Sequence, residues 1–325
     1  MWQNHHKAWQ SQREGPGRKG WQKLMLVPIG LLALLVLLII IYILLYVVFV
    51  PTQPPILTEL KKPYILAHQG GALLAPPNTL AAFDQAASLG VDFLDIDVHM
   101  TKDGSLVGIH DSTVDATTNG HGRVDFYRLS ELQHLDAGYW FKDLQGKYSY
   151  RGTGVSIPTL EDVFRHYAPQ CYLHFEIKDA YPKNEPFRIE EQLWALIQTY
   201  HMEKRVIVGS FEQSIVDRFK HLSRGQVVVG AGEAEITQFV LAHKLHLHGL
   251  YRRKSNLLEL PLASHGLNLK DRKLIAGAHR LGMQIYYWTI DDIPTMKELL
   301  ELGVDGIFTN RPDLLKAVIQ EMHLR

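Results

Sequence analysis

The sequence predicts an α/β fold, a (β/α)8 barrel with an insertion after its second strand, preceded by one N-terminal transmembrane helix. Three observations predict it. Residues 24–50 form an uncharged apolar run of 27 residues, longer than the roughly 20 needed to cross a bilayer. Beyond residue 62, short apolar runs alternate with longer helical patterns, several of which end in glycine. An Asp-Gly pair then interrupts that rhythm after the second apolar run, where it marks a tight hairpin.

Bulk properties set the frame. The chain has 325 residues, of which 46% are hydrophobic and 21% charged, a globular balance that excludes a disordered chain. Lys plus Arg equals Asp plus Glu at 34 each, so no bulk field attracts nucleic acid, and none is expected as a partner. The single cysteine, Cys171, excludes an internal disulfide framework and reads as a small buried apolar residue. Oligomeric state is not legible.

Four segments follow in order. Residues 1–23 carry Lys7, Arg13, Arg18, Lys19 and Lys23, whereas only Lys61 and Lys62 closely follow the apolar run. The positive-inside rule therefore places 1–23 in the cytoplasm and the following domain outside, making the protein a single-pass cell-membrane protein. Residues 24–50 are the transmembrane helix, too long for the apolar core of a cleavable signal peptide. Trp21, Tyr42, Tyr46 and Phe49 lie toward its ends as interface anchors. Residues 51–62, with Pro51, Pro54 and Pro55, are a stiff linker, and 63–325 are the barrel domain.

Within that domain the predicted strands are 64–68, 92–98, 172–177, 206–211, 226–229, 249–251, 284–288 and 306–308. Helical patterns occupy 78–89, 188–201, 270–281 and 293–302, and Gly90, Gly282 and Gly303 stand where left-handed caps are wanted. Strand, helix, glycine, strand implies parallel strands with right-handed crossovers, and eight of them suit a closed barrel. No GxGxxG loop follows the first strand to favour a doubly wound sheet. A turn centred on Asp103-Gly104 pairs Lys102 with Ser105 and sets Asp97 opposite His110. Residues 111–156 then form an insertion over the barrel mouth.

Active sites of such barrels lie at the C-terminal ends of the strands. There the chain places His68 on the first strand, Asp95 and Asp97 on the second, and Glu176 and Lys178 on the third. Alternation puts Asp95, Asp97 and His99 on one face, and likewise His174, Glu176 and Lys178. Three carboxylates so close require a balancing cation, and oxygen ligands suit one divalent ion, Mg2+ or Ca2+. His68 and His110 beside them have the chemistry of a general base and acid.

These residues lie within a longer set of matches. Ala67-His68-Gln69-Gly70-Gly71, Asn78-Thr79-Leu80, Asp95-Ile96-Asp97, Thr101-Lys102-Asp103-Gly104 and His110-Asp111 come first. Thr117-Thr118-Asn119-Gly120, Ile157-Pro158-Thr159-Leu160, Glu176-Ile177-Lys178, Trp288-Thr289 and Thr309-Asn310-Arg311-Pro312 follow. The chain from about residue 64 to 318 thus resembles the glycerophosphodiester phosphodiesterase family. The resemblance implies a phosphoric diester hydrolase that yields glycerol 3-phosphate and an alcohol. It implies a divalent ion on Asp95, Asp97 and Glu176, with His68 and His110 as acid and base. Gln69 and Lys178 would contact phosphate, and Trp288 would line the wall near the glycerol or leaving alcohol.

Three positions depart from the family pattern. Gln69 stands where an arginine is usual, Pro77 where a glutamate is usual, and Asp95 where a glutamate is usual. The first removes a bidentate phosphate contact, for which Arg311, Arg252 or Arg253 could substitute. The leading expectation is a glycerophosphodiester substrate. The alternatives are lysophospholipase D-type action on a lysophospholipid, and a weakly active or non-catalytic barrel that binds phosphodiesters.

Overall fold

The computed structural model describes residues 30–43, 60–168, 170–178, 189–245, 247 and 251–325. Residues 30–43 form one helix, α1, whose side chains are apolar apart from the Tyr42 hydroxyl. The described part spans near 21 Å at 1.5 Å per residue, against a bilayer core of about 30 Å. No helix among the described residues is long and apolar enough to cross a membrane. The remainder of the expected span, 24–29 and 44–50, lies outside the described residues, as do 1–23 and most of the linker.

The second unit is the barrel. Its strands are β1 (Tyr64–Ala67), β2 (Phe93–Met100), β4 (Tyr172–Ile177), β5 (Val206–Gly209), β6 (Val228–Val229), β7 (Leu257–Leu260), β10 (Gln284–Tyr287) and β11 (Gly306–Thr309). They hydrogen-bond in the order β6-β5-β4-β2-β1-β11-β10-β7, all parallel. The two ends of that order meet at one parallel bridge, Gly230 with Leu257. Asn256 N donates to Val229 O and Ala231 N to Leu257 O, both at 3.0 Å, so the sheet nearly closes. The helices include α2 (Leu80–Leu89), α4 (Leu160–Tyr167), α5 (Ile189–Thr199), α6 (Gln213–Leu222), α7 (Glu233–Lys244), α8 (Arg272–Arg280), α9 (Ile293–Leu302) and α10 (Pro312–Glu321).

Local chemistry sets these boundaries. Thr79 caps α2 by accepting from Ala82 N, and Asp292 caps α9 by accepting from Thr295 N. Gly90 and Gly303 close the same helices in the left-handed conformation, as the sequence predicts. Outward residues such as Leu173, Phe175 and Ile177 pack under the helices in the main core. Inward residues form a separate plug to which every barrel strand contributes: Tyr64, Leu66, Phe93, Tyr172, Ile207, Val228, Leu257, Tyr286 and Phe308. Cys171 is buried and free beside β4, as expected.

Two sequence expectations require correction. The sixth barrel strand is β7 at 257–260; of the expected strand at 249–251 only Tyr251 is among the described residues, and it lies in no strand. Tyr251 instead donates to Glu235 Oε1 on α7 at 2.8 Å, and the same carboxylate accepts from Lys254 N and from Ser255 N and Oγ. Tyr251 and the residues after it are therefore tied to a helix and not to a ladder. The hairpin after β2 also closes one residue earlier. β3 (Leu106–Gly108) pairs Val98 with Gly108 and Met100 with Leu106, so Ile109, not His110, stands opposite Asp97. Thr101 is the reason: its hydroxyl accepts from Ser105 N and donates to Asp103, making a three-residue loop with Gly104 at φ +83°.

The insertion at 111–156 has a small core of its own. Val107, Ile109, Val114, Val124, Leu132, Ala137 and Ile157 pack together, supported by the short helix α3 (Leu129–Leu132).

Candidate active site

Two-residue alternation carries each inward face from apolar to polar on the way up the barrel. On β2 the inward series is Phe93, Asp95, Asp97, and on β4 it is Tyr172, His174, Glu176, in register pair by pair. On β7 it is Leu257, then Glu259. The aromatic plug thus forms a floor, and a layer of acids and bases rests on it.

In that layer His174 lies between two acids. Its Nδ1 is 2.6 Å from Asp95 Oδ1, and its Nε2 is 2.8 Å from Glu259 Oε1, an approach too oblique for a directed hydrogen bond. Burial works against charge on His174, but Glu259 and Asp95 outweigh it and push the imidazole up to about 10, so it is an imidazolium at neutral pH. Burial likewise raises Asp95, yet the His174 hydrogen bond and charge hold that carboxyl below the usual range. Glycines admit Glu259: a Cβ on Gly230 would stand 2.9 Å from Glu259 Oε2, and one on Gly209 would stand 3.0 Å away.

Above this pair is a second cation. Lys178 Nζ is 2.8 Å from Glu176 Oε1 and 3.1 Å from Asp97 Oδ1. Burial opposes the ammonium, but Asp97 and Glu176 outweigh it and raise Lys178. Glu176 is raised by burial, which Lys178 opposes and Asp97 reinforces. Asp97 is further fixed by Asn78, whose Nδ2 donates to Asp97 Oδ2 at 2.8 Å and whose Oδ1 accepts from Asp97 N at 3.0 Å.

Four carboxylates therefore meet two cations, an excess of two negative charges that suits a divalent ion. Asp97 Oδ1 and Glu176 Oε1 are buried and lack a directed hydrogen bond, so both fit a hard cation. Asp95 fits less well, since its Oδ1 is held by His174 and its Oδ2 accepts from Gln69 N at 3.3 Å. Among the described residues no three His, Cys, Asp or Glu side chains converge on one metal position.

A cavity of about 210 Å³ opens above the layer. It is lined by His68, Asp95, His110, His174, Glu176, Lys178, Glu259 and Trp288, with Ser210, Phe211 and Ile236 on the far wall. Six of the eight sequence-predicted site residues are thus brought to one space. Asp97 does not line it and is fully buried. Gln69 is buried at φ +53°, and its main chain bonds Asp95 and Asn78 instead of lining the cavity. The substitute arginines are engaged elsewhere: Arg311 pairs bidentately with Asp313, Arg253 donates to Gly282 O, and Arg252 donates to Tyr251 O.

The two histidines have different partners. His68 Nδ1 is 2.7 Å from Asn310 Oδ1. Asp291 fixes that amide's orientation, since Asn310 N and Nδ2 donate to its two carboxylate oxygens at 2.7 and 2.8 Å. With Oδ1 facing the ring, Nδ1 carries the proton and donates, which leaves the Nε2 lone pair free. His110 Nδ1 instead faces the Asp111 carboxylate at 2.7 Å, and His99 Nε2 reaches His110 O at 3.0 Å.

Sequence reasoning did not assign roles to Asn78, His174, Glu259, Asp291 or Asn310. Asn78 and Asn310 stand inside motifs legible in the sequence, and two-residue alternation places His174 on the inward face. No local signal connects Glu259 or Asp291 to the site, because both act across 18 or more residues.

Residues 68–314 match the model of the glycerophosphoryl diester phosphodiesterase family. A glycerophosphodiester phosphodiesterase of Caldanaerobacter subterraneus subsp. tengcongensis is 34% identical over 268 residues, 80% of this chain and 99% of that protein. A lysophospholipase D of Rattus norvegicus is 26% identical, over 83% of this chain and 91% of its own length. The crystal structure of a glycerophosphodiester phosphodiesterase from Agrobacterium tumefaciens superposes with a TM-score of 0.61 at 26% identity. It covers 78% of this chain and 99% of that one.

Proposed function

The chain belongs to the glycerophosphoryl diester phosphodiesterase family and is a phosphoric diester hydrolase, and from that premise we propose how its own residues work. The substrate is a glycerophosphodiester, and the products are glycerol 3-phosphate and an alcohol. One observation carries this reading: His68, His110, Glu176 and Lys178 line a single cavity, and Lys178 is paired there with Asp97.

His68 Nε2 takes the proton from the substrate's 2-hydroxyl as that oxygen attacks phosphorus, because Asn310 leaves this nitrogen as an acceptor. His110, paired with anionic Asp111, gives a proton to the departing alcohol oxygen as the P–O bond breaks. The same two rings, with roles exchanged, then add water across the cyclic phosphodiester to give glycerol 3-phosphate. Lys178 neutralises charge on the phosphate. Trp288, edge-to-face with Phe211 at 5.7 Å, forms the wall beside the alcohol.

One divalent cation, Mg2+ or Ca2+, would be held by Asp97 and Glu176, with Asp95 oriented behind them by His174. When bound, it would polarise the phosphoryl oxygens and stabilise their added charge. Gln69 supports Asp95 through its backbone and does not supply the phosphate contact of an arginine.

Release of glycerol 3-phosphate from glycerophosphocholine by the full chain tests this, with Mg2+, Ca2+ or EDTA. Metal-dependent release abolished by both His68→Ala and His110→Ala is expected. Release indifferent to both substitutions would overturn it.

The half-exposed Phe211, together with Ile236 and Trp288, gives the cavity an apolar side that also favours a second reading, a lysophospholipid substrate. The ratio of kcat/KM for glycerophosphocholine and lysophosphatidylcholine separates the two. We further propose that residues 24–50 anchor the enzyme in the cell membrane with 1–23 cytoplasmic. The length and purity of the run and the described apolar helix at 30–43 support this. Protease protection of either end in sealed vesicles tests it.

A further inference from the structure

We propose that the loop 139–151 of the insertion is a docking surface for an anionic phospholipid bilayer. This contact would be separate from the N-terminal anchor, and it does not depend on the reaction assigned above.

The loop is rigid, yet it exposes apolar groups. At its tip, Asp143 accepts from Gln145 N and Lys147 N, Asp143 N donates to Lys147 O, and Gly146 N donates to Asp143 O. Farther back, Arg151 Nε donates to Tyr139 O, and its guanidinium lies 3.7 Å from the Tyr148 ring centroid and 4.3 Å from that of Tyr139. The Trp140 ring is 5.4 Å away. Phe141 points inward against Tyr150, anchoring the loop to the insertion. On this ordered frame, Trp140 is 48% exposed and Leu144 is 55% exposed. Trp140 packs one edge on Tyr139 and Arg151 and leaves the rest of its ring to solvent, and Leu144 makes no such contact, so the loop presents apolar surface that can serve an interaction.

Charge decides the occupant. Lys142 and Lys147 are exposed on the loop, Arg151 is held under the aromatic rings, and the one acid, Asp143, has its carboxylate used on the tip backbone. An indole, a leucine and tyrosines ringed by lysines are the side chains that settle at the headgroup level of a bilayer. The positive excess selects anionic lipid. Location agrees with this assignment. Trp140, Phe141 and Lys142 share a surface pocket with Ala72 and Pro77, in the segment that leads from the catalytic His68 to Asn78. A bilayer against this loop therefore lies beside the segment that follows the catalytic His68.

The test uses the full chain in nanodiscs with a polarity-sensitive fluorophore on Leu144→Cys. Buried Cys171 is the sole natural cysteine and escapes labelling. Gln320→Cys, exposed near the end of α10, is the control. Brominated phosphatidylcholine containing about 30 mol% phosphatidylglycerol should quench the label at 144 about twofold more than the label at 320. Adding Lys142→Glu and Lys147→Glu should remove the preference for phosphatidylglycerol without changing glycerol 3-phosphate release from a soluble substrate. Equal quenching at 144 and 320 overturns the proposal. So does a shift at 144 that appears in lipid-free detergent and grows with protein concentration, which would make a second copy of the chain the occupant.

Discussion

Asp291 does not line the cavity, yet its replacement by asparagine should act on the proton-transfer step. The carboxylate accepts from both Asn310 N and Asn310 Nδ2, at 2.7 and 2.8 Å, and so holds Asn310 Oδ1 toward His68. An asparagine at 291 presents one acceptor and one donor, and two donors cannot both be satisfied by it. The Asn310 amide then rotates and turns Nδ2 toward His68, so Nδ1 must accept and Nε2 must carry the proton. His68 in that tautomer cannot serve as a base, and a positioned base contributes about 10²- to 10⁴-fold. Loss of a charge-assisted hydrogen bond alone is worth about 1.5–3 kcal/mol, or roughly 10- to 150-fold if all of it fell on the transition state. A fall in kcat of about 10²-fold or more, with KM little changed, is therefore expected for Asp291→Asn. Glycerol 3-phosphate release measures the rate, and ¹⁵N NMR of the imidazole reports the tautomer. In a His68→Ala background the second substitution should add nothing, since its effect passes through that ring. Retention of wild-type kcat by a folded Asp291→Asn protein would refute the reasoning, as would full additivity with His68→Ala.

Further predictions follow from other contacts. Asp97→Asn and Glu176→Gln should each abolish calorimetrically measurable Mg2+ or Ca2+ binding. Asp95→Asn should weaken it by about 10–100-fold, as a residue that orients ligands from behind does. Glu259→Gln breaks the buried pair with His174, which costs about 3–5 kcal/mol and lowers the melting temperature by roughly 10 °C. At the opposite end of the barrel, Asp305 Oδ1 accepts from Lys62 Nζ, and Oδ2 faces His279 Nε2 and accepts from Ile285 N. Burial raises this carboxyl, but His279 and Lys62 outweigh it, so its folded pKa lies below its unfolded value. Its contribution is present above the unfolded pKa and lost as pH falls through the folded one, so acid unfolding should begin at higher pH in Asp305→Asn.

Much of this was legible from local pattern. Alternation of two residues placed Asp95 and Asp97 with His174 and Glu176, since β2 and β4 are long and run in register. Glycine caps located the ends of α2 and α9. What escaped depended on partners distant in sequence. β7 is a short run in which Glu259 interrupts the apolar series, and that interruption makes sense only opposite His174. The run at 249–251 looked like a better strand, but Glu235 captures Tyr251 and the backbone that follows. The hairpin register was missed by one residue because a threonine side chain, not backbone pairing, closes the loop. Asn310 was visible as a motif residue, but its function exists only through Asp291 on one side and His68 on the other.

The junction between β6 and β7 gives the barrel a seam. Four paired residues join β1 to β11, the first and last strands, whereas one bridge and the Asn256 and Ala231 contacts join the middle of the chain to itself. The cylinder is therefore two curved halves, hinged firmly where the chain ends meet and latched lightly on the far side. Fluctuations that part the latch need break only a few hydrogen bonds, so amides of Ala231 and Asn256 should exchange with solvent well before those of β1 and β11. Glu259, two residues beyond Leu257, lies across that latch and against Gly209 and Gly230. Its attraction to His174 on β4 thus serves the architecture as a clasp, drawing the two halves together with the same charges that shape the reaction chamber.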